Sequence, residues 1–324
     1  MARSDLLLNL VRAGSRGDQQ LFRKVVEAIA AEERAKKHKV LADRLEAVLR
    51  NGWQDKKEAA AVRSFTQDAG SLFYEVTPDK LLEDLILPEQ VLLTCRELIE
   101  ERQRTDLLRS HNLEPRNRVL FVGPPGNGKT SLAHAIAHAL VVPLYVVRYE
   151  GLIGSFLGET ASRLKKLFDY VRGRTCVLFF DEFDTLGKER GDVHETGEIK
   201  RVVSSLLLQI DDLPSHVLVI TATNHQELLD RAVWRRFQVR LQLPAPGKPQ
   251  VAAWFERFED QTGKNLKTLR AAFSTKMAKA SFAELEEFCL DAMRQYVLRL
   301  PEDDMEGIVR NCLKQWQARF KAKS

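Results

Sequence analysis

Apolar positions recur along this chain with two different periods, and the change of period marks its parts. In residues 1–50, Leu21, Val25, Ala28 and Ile29 repeat at helical spacing behind Asp18, a residue suited to cap the helix start. A second helical series, Leu41, Leu45, Val48 and Leu49, is closed by Asn51-Gly52. Residues 53–80 are mixed and polar and read as a linker. From about 81 a helix over "PEQVLLTCRELIEERQR" leads to "RVLFVG", an apolar run of strand length.

Alternation then sets in. Strand-like runs occupy 118–122, 144–148, 176–181, 216–223 and 239–243, with helical patterns between them. Apolar strands alternating with helices imply a parallel sheet covered on both faces, because each crossover lays a helix on the sheet. "PAPGKP" at 244–249 ends the alternation, and 250–324 carries helical patterns only. The spacing therefore divides the chain into an N-terminal helical region (1–52), a linker (53–80), an α/β part with five parallel strands (81–244) and a small all-helical part (245–324).

Composition narrows this picture without changing it. At 44% hydrophobic, the chain can bury a core. No apolar run reaches the roughly 18 residues of a membrane span. The longest, Leu132–Val147, is broken by His134, His138 and Pro143. The short apolar patch after Asp5 is too little for a secretory signal. Cys95, Cys176, Cys289 and Cys312 form no CxxC pair and read as reduced thiols, so a cytoplasmic protein is expected. The net charge of +5 is local: 310–324 holds five Lys/Arg and no acid, which leaves 45 basic against 45 acidic residues elsewhere. Such a tail reads as a solvated helix end rather than a nucleic-acid site.

Candidate chemistry begins at "FVGPPGNGKTSLAHAIAHAL". Gly123, Pro124, Pro125, Gly126, Asn127, Gly128, Lys129 and Thr130 spell G-x-x-x-x-G-K-T, directly after a strand and opening a helix that continues through Ser131. Glycines let backbone N–H groups curl around a phosphate, and the helix N-terminus adds its dipole. Lys129 is a point charge for β- and γ-phosphates, and the Thr130 hydroxyl can ligate Mg²⁺. The sequence thus predicts a P-loop site for ATP with Mg²⁺. His134 and His138 have zinc-like spacing but lack the Glu of H-E-x-x-H, so they read as packed or partly exposed histidines.

"CVLFFDEFD" ends a buried strand on Asp181-Glu182. Asp181 suits Mg²⁺, directly or through water. Glu182 can polarise a water aimed at the γ-phosphate. Asn224 ends the fourth predicted strand, where it either holds the attacking water or senses the γ-phosphate; alone it would read as a turn former. Arg235 and Arg236 are either a solvated surface pair or arginine fingers supplied to a neighbouring subunit.

Taken together these stretches resemble the AAA ATPases of the AAA+ superfamily, in the clade holding katanin, spastin, FtsH and the ESCRT-disassembly ATPases. "GPPGNGKT" is similar to their Walker A, "VLFFDE" to their Walker B, "ATN" to their sensor 1, and "LDRAVWRRF" to their second region of homology. "SFAELEEFCLDAM" resembles the lid helix that opens "SGADL", with Phe282 standing in place of the Gly. The resemblance runs from about 81 to about 300 and is most specific over 118–243. It implies a P-loop α/β fold with a helical lid, and a homo-oligomeric ring, usually a hexamer, with ATP between subunits. Lys129, Thr130, Asp181, Glu182 and Asn224 would act in cis, and Arg235 and Arg236 in trans.

"YEGLIGSFLGET" at 149–160 bears on what such a ring would do. Phe156 and Leu157, between Gly154 and Gly158, put an aromatic and a Leu at the tip of a predicted loop. In a ring this loop would line the central pore and grip a polypeptide through apolar contact; the bland alternative is a Phe156 packed in the core. Loader-type relatives generally lack aromatic-x-Gly at this place, and the nearest charges to it before Arg163 are Glu150 and Glu159. The reading therefore favours an ATP-driven remodeller or unfoldase over a regulatory switch ATPase, and both over a nucleic-acid loader. Neither H-E-x-x-H nor G-x-S-x-G occurs, so proteolysis would need a separately encoded protease; residues 1–50 are candidates for an adaptor or ring-assembly element.

Overall fold

Strand runs that are apolar at every position must be covered on both faces, and the sheet obeys this. The computed structural model describes residues 25, 26, 28, 29, 31, 72–152, 157–184, 195–229, 231–300 and 304–323. The chain divides into two compact units, Met1–Gly70 and Ser71–Ser324. In the first, the five described residues are helical; Val25, Val26 and Ile29 are buried and Ala28 is exposed. The predicted series Leu41 to Leu49 lies outside the described residues.

In the second unit the order begins with strand β1 (Phe73–Val76), helices α1 (Glu89–Gln103) and α2 (Thr105–Ser110), strand β2 (Arg118–Val122) and helix α3 (Lys129–Leu140). Strand β3 (Leu144–Val147), helices α4 (Tyr149–Leu152) and α5 (Leu157–Arg172), strand β4 (Cys176–Phe180) and helix α6 (Glu195–Asp211) follow. Then come strand β5 (Val217–Thr223), helix α7 (Arg231–Arg236) and strand β6 (Val239–Gln242). Helices α8 (Lys248–Thr262), α9 (Arg270–Lys276), α10 (Phe282–Leu298) and α11 (Met305–Lys323) close the chain.

The sheet order is β1-β3-β4-β5-β2-β6. Strands β2 to β6 are parallel, and they match the five predicted runs within one residue at each end. The sheet has six strands rather than five, because β1 adds antiparallel to the β3 edge, Phe73 opposite Val147. β1 lies inside the stretch read as linker. Only four residues long, with Tyr74 and Glu75 exposed, it shows no apolar run. Both side-chain sets of the central strands are buried: Val119, Phe121, Val177 and Phe179 join the α1 and α3 residues Leu98, Leu132 and Ile136 in one core, and Leu120, Leu178, Phe180 and Val219 face the other way. Leu164, Phe168, Leu206 and Ile210 on α5 and α6 are buried as well.

Helices α8 to α11 have a core of their own. Phe255 stacks on Phe273 at 4.3 Å, Phe273 meets Phe288 edge-on at 5.1 Å, and Phe288 meets Trp316 at 6.1 Å. Cys95, Cys176 and Cys312 are buried and Cys289 half-buried, and all four are free thiols. Burial pushes Cys95, Cys176 and Cys289 up to about 12, so they are inert packing groups. Among the described residues no helix is long and apolar enough to cross a membrane.

Candidate active site

The site is assembled where β2, β5 and β4 end side by side. β2 stops at Val122, and Gly123 turns the chain against β6: its N–H donates to Thr223 O at 3.2 Å, and a Cβ there would lie 2.1 Å from Leu243 O. Only glycine tolerates that approach. Gly126 has φ +74° and sits against the start of α10, where an added Cβ would meet Ser281 Oγ at 3.0 Å and Ala283 Cβ at 3.1 Å. Its carbonyl accepts from Ala283 N at 3.0 Å, which ties the loop to the helical part.

Lys129, the first residue of α3, is 7% exposed. Its ammonium donates to Gly123 O at 2.7 Å, Pro124 O at 2.9 Å and Asn224 Oδ1 at 2.6 Å. Burial lowers its pKa, and the charges of Asp181, Asp184 and Glu182 oppose that shift. Thr130 Oγ1 donates to Asp181 Oδ2 at 2.8 Å. Three sequence-distant predictions, the P-loop, the Asp181 strand and Asn224, are thus in direct contact. Glu182 is exposed on the same turn; its N–H donates to Asp181 Oδ1 at 3.0 Å and its φ is +50°. Left-handed backbone at a non-glycine residue is uncommon and costs on the order of 1–3 kcal/mol, a kind of strain that collects at functional sites.

These groups line one cleft of about 970 Å³. Residues 125–131, Asp181, Glu182 and Asn224 form one end; Leu85, Trp254, Phe258 and Phe282 line the other. Phe282 packs on Trp254 with ring centroids 5.7 Å apart, so the residue that departs from the lid pattern becomes an aromatic wall. A triphosphate with a divalent cation fits these donors. Gly126 and Gly128 turn the loop with positive φ, Thr130 and Asp181 offer paired oxygens, and Lys129 supplies the positive charge. The Asn127 amide, 3% exposed, has both polar atoms without a hydrogen-bond partner among the described residues.

Other predicted residues lie elsewhere. Arg236 is ion-paired with Asp211, which also accepts from Arg118 at 2.8 Å. Arg235 is exposed and forms no ion pair with a described residue. Neither lines the cleft. Gly154 and Phe156 lie outside the described residues; Leu157 and Gly158 open α5, and their side chains are likewise outside them. His134 Nδ1 is 3.3 Å from Asp79 Oδ1, and His138 is exposed.

Two residues that the sequence reading passed over belong to the site's foundation. Asp184, the last residue of "DEFD", is 2% exposed and accepts from Thr223 Oγ1 at 3.0 Å and Asn224 N at 3.2 Å. The Tyr149 phenol is buried without a hydrogen-bond partner among the described residues. Burial, and then the charges of Asp181, Asp184 and Glu182, push its pKa well up. "DEFD" carried a signal for Asp184, whereas nothing in the sequence marks Tyr149.

Comparison with known proteins fits this geometry. Residues 119–245 match the family model described as ATPase family associated with various cellular activities (AAA). The AAA family ATPase y4kL of Sinorhizobium fredii is 38% identical over 304 residues, covering 92% of this chain and 90% of that protein. A 26S proteasome regulatory subunit 8 homolog of Encephalitozoon cuniculi is 29% identical over 259 residues, 75% of this chain and 65% of its own length. The peroxisomal ATPase pex6 of Schizosaccharomyces pombe is 31% identical over 221 residues, 65% of this chain but only 23% of its own length.

Proposed function

This chain belongs to the AAA family of ATPases, and from that premise we propose that it is a ring-forming motor, a hexamer of identical subunits, that uses ATP hydrolysis to remodel or unfold protein substrates through a central pore. The observation that carries the ATPase chemistry is the convergence of Lys129, Thr130, Asp181 and Asn224 at neighbouring strand ends, with Glu182 on the same turn. The relative named as a 26S proteasome regulatory subunit homolog supports a polypeptide rather than a nucleic acid as the target.

In this reading Lys129 exchanges a protein acceptor for β- and γ-phosphate oxygens, and its buried charge gains strength from the low local dielectric. Thr130 and Asp181 would hold a Mg²⁺ ion, which would supply charge neutralisation for the triphosphate. Glu182 accepts the proton of the attacking water. Asn224 orients that water or the γ-phosphate, and Arg235 reaches the nucleotide of the adjacent subunit. Residues 81–244 form the ATPase body, 245–324 the lid, and 1–52 with the following linker a region for adaptor, protease or assembly contacts.

Glu182→Gln tests the assignment. The amide keeps the size and the phosphate cradle but cannot take the proton, so ATP binds, turnover falls by at least about 100-fold, and ATP-loaded rings accumulate. Lys129→Ala should instead lose nucleotide binding. Steady-state ATPase rates and sedimentation with ATP read both outcomes. Near-normal turnover in Glu182→Gln would remove Glu182 from the mechanism.

A further inference from the structure

Asp184 is a carboxylate buried to 2% exposure, three residues beyond Asp181. Taking a charge out of water is costly, and where only packing is required an apolar residue serves as well or better. Its contacts show what the charge does here. Asp184 Oδ1 accepts from Thr223 Oγ1 at 3.0 Å and from Asn224 N at 3.2 Å. The same Thr223 hydroxyl accepts from His225 N at 3.0 Å. Thr223 itself is fully buried. The neighbouring Phe183 N–H donates to Ala222 O at 2.8 Å, which stitches the turn after β4 to the end of β5. The backbone at 224 and 225 is therefore pinned at the point where the chain leaves the sheet. The side chain that emerges there is Asn224, whose Oδ1 lies 2.6 Å from Lys129 Nζ. Asp184 does not line the cleft.

We infer that Asp184 is a positioning residue for hydrolysis: through Thr223 and the Asn224 backbone it fixes the Asn224 amide, and with it the Lys129 ammonium, at the phosphate end of the cleft. This rests on the reading of Asn224 as a residue that acts on water or the γ-phosphate. Asp184→Asn keeps the shape and weakens both hydrogen bonds by removing the charge. A displacement of about 1 Å at a catalytic group can cost about 100-fold in rate. The variant therefore lowers kcat by about 10- to 100-fold and changes KM for ATP less than about threefold.

The decisive experiment is a cycle on the full chain with Asp184→Asn, Asn224→Ala and the double variant, measuring kcat, KM and Tm. If Asp184 acts through Asn224, the double variant is no slower than Asn224→Ala alone. Should Asp184→Asn fail to fold, Thr223→Val and Thr223→Ser replace it: valine removes the bridging hydroxyl and lowers kcat, and serine restores it. Rate losses that multiply in the double variant overturn the inference. So does a fall in Tm with kcat unchanged, or a normal kcat in Thr223→Val. Full activity in Asn224→Ala would instead overturn the role of Asn224 itself, a separate failure.

Discussion

Arg235 and Arg236 are adjacent in sequence, yet the fold gives them different surroundings. Arg236 is held by Asp211, which Arg118 shares, whereas Arg235 points into solvent. Arg236→Ala should lower stability by less than about 1 kcal/mol, because the pair is part-exposed and Asp211 keeps Arg118. Arg235→Ala should leave Tm unchanged and reduce hydrolysis by about 10³-fold or more, as the loss of a trans finger does. Mixed rings of Arg235→Ala and Glu182→Gln subunits should recover some activity; rings that co-assemble and stay dead would assign Arg235 no trans role. Tyr149 behaves in the opposite sense. Its phenol is buried without a hydrogen-bond partner among the described residues, and a buried unpaired hydroxyl costs about 1–3 kcal/mol. Tyr149→Phe should therefore match or exceed the parent in a urea melt, and a clear loss of stability would reveal a hydrogen bond that the phenol makes. The contrast explains what was legible. Lys129, Thr130, Asp181 and Glu182 could be read because phosphate chemistry needs those types at fixed offsets from a strand end. Tyr149 and the left-handed Glu182 could not, because burial and backbone strain depend on neighbours distant in sequence.

Elements were legible where burial is complete and hidden where it is partial. Every residue of β4 and β5 is buried, so an apolar run marks each strand, interrupted in β5 by Thr221 and Thr223. β1 leaves Tyr74 and Glu75 outward and owes its existence to the β3 edge, a long-range partner that no local pattern encodes. The start of α10 shows an element acting on the site. Ser281 accepts from Glu284 N at 3.3 Å while Glu284 accepts from Ser281 N at 2.8 Å, a reciprocal cap. The same turn presents Ala283 N to the Gly126 carbonyl. Ser281→Ala should cost about 1 kcal/mol from the lost cap. Because that turn braces the phosphate loop, it should also weaken ATP binding in a fluorescent-nucleotide titration. Lost stability with unchanged affinity would mean that the cap serves the helix alone.

At the scale of the assembled molecule, the proposed ring depends on the segment between β3 and α5. β3 runs parallel beside β4, and α4 and α5 flank 153–156 directly. Being parallel, β3 and β4 end on the same side of the sheet, so the chain leading from β3 into α4 starts on the side that carries Asp181 and Glu182. In the proposed ring, Phe156 and Leu157 would face the pore, and Gly154 and Gly158 would allow the backbone to move between nucleotide states. An aromatic grips any polypeptide by apolar contact and so needs no sequence preference. Phe156→Ala separates this from a packing role. A core phenylalanine would cost about 3–5 kcal/mol on truncation and visibly lower Tm. A pore phenylalanine would leave Tm, ring assembly and basal ATPase near the parent while stopping the unfolding of a fluorescent protein that carries an unstructured tail. The expected outcome is the second. A large loss of stability, or unfolding at the parent's rate, would place the grip elsewhere in the ring.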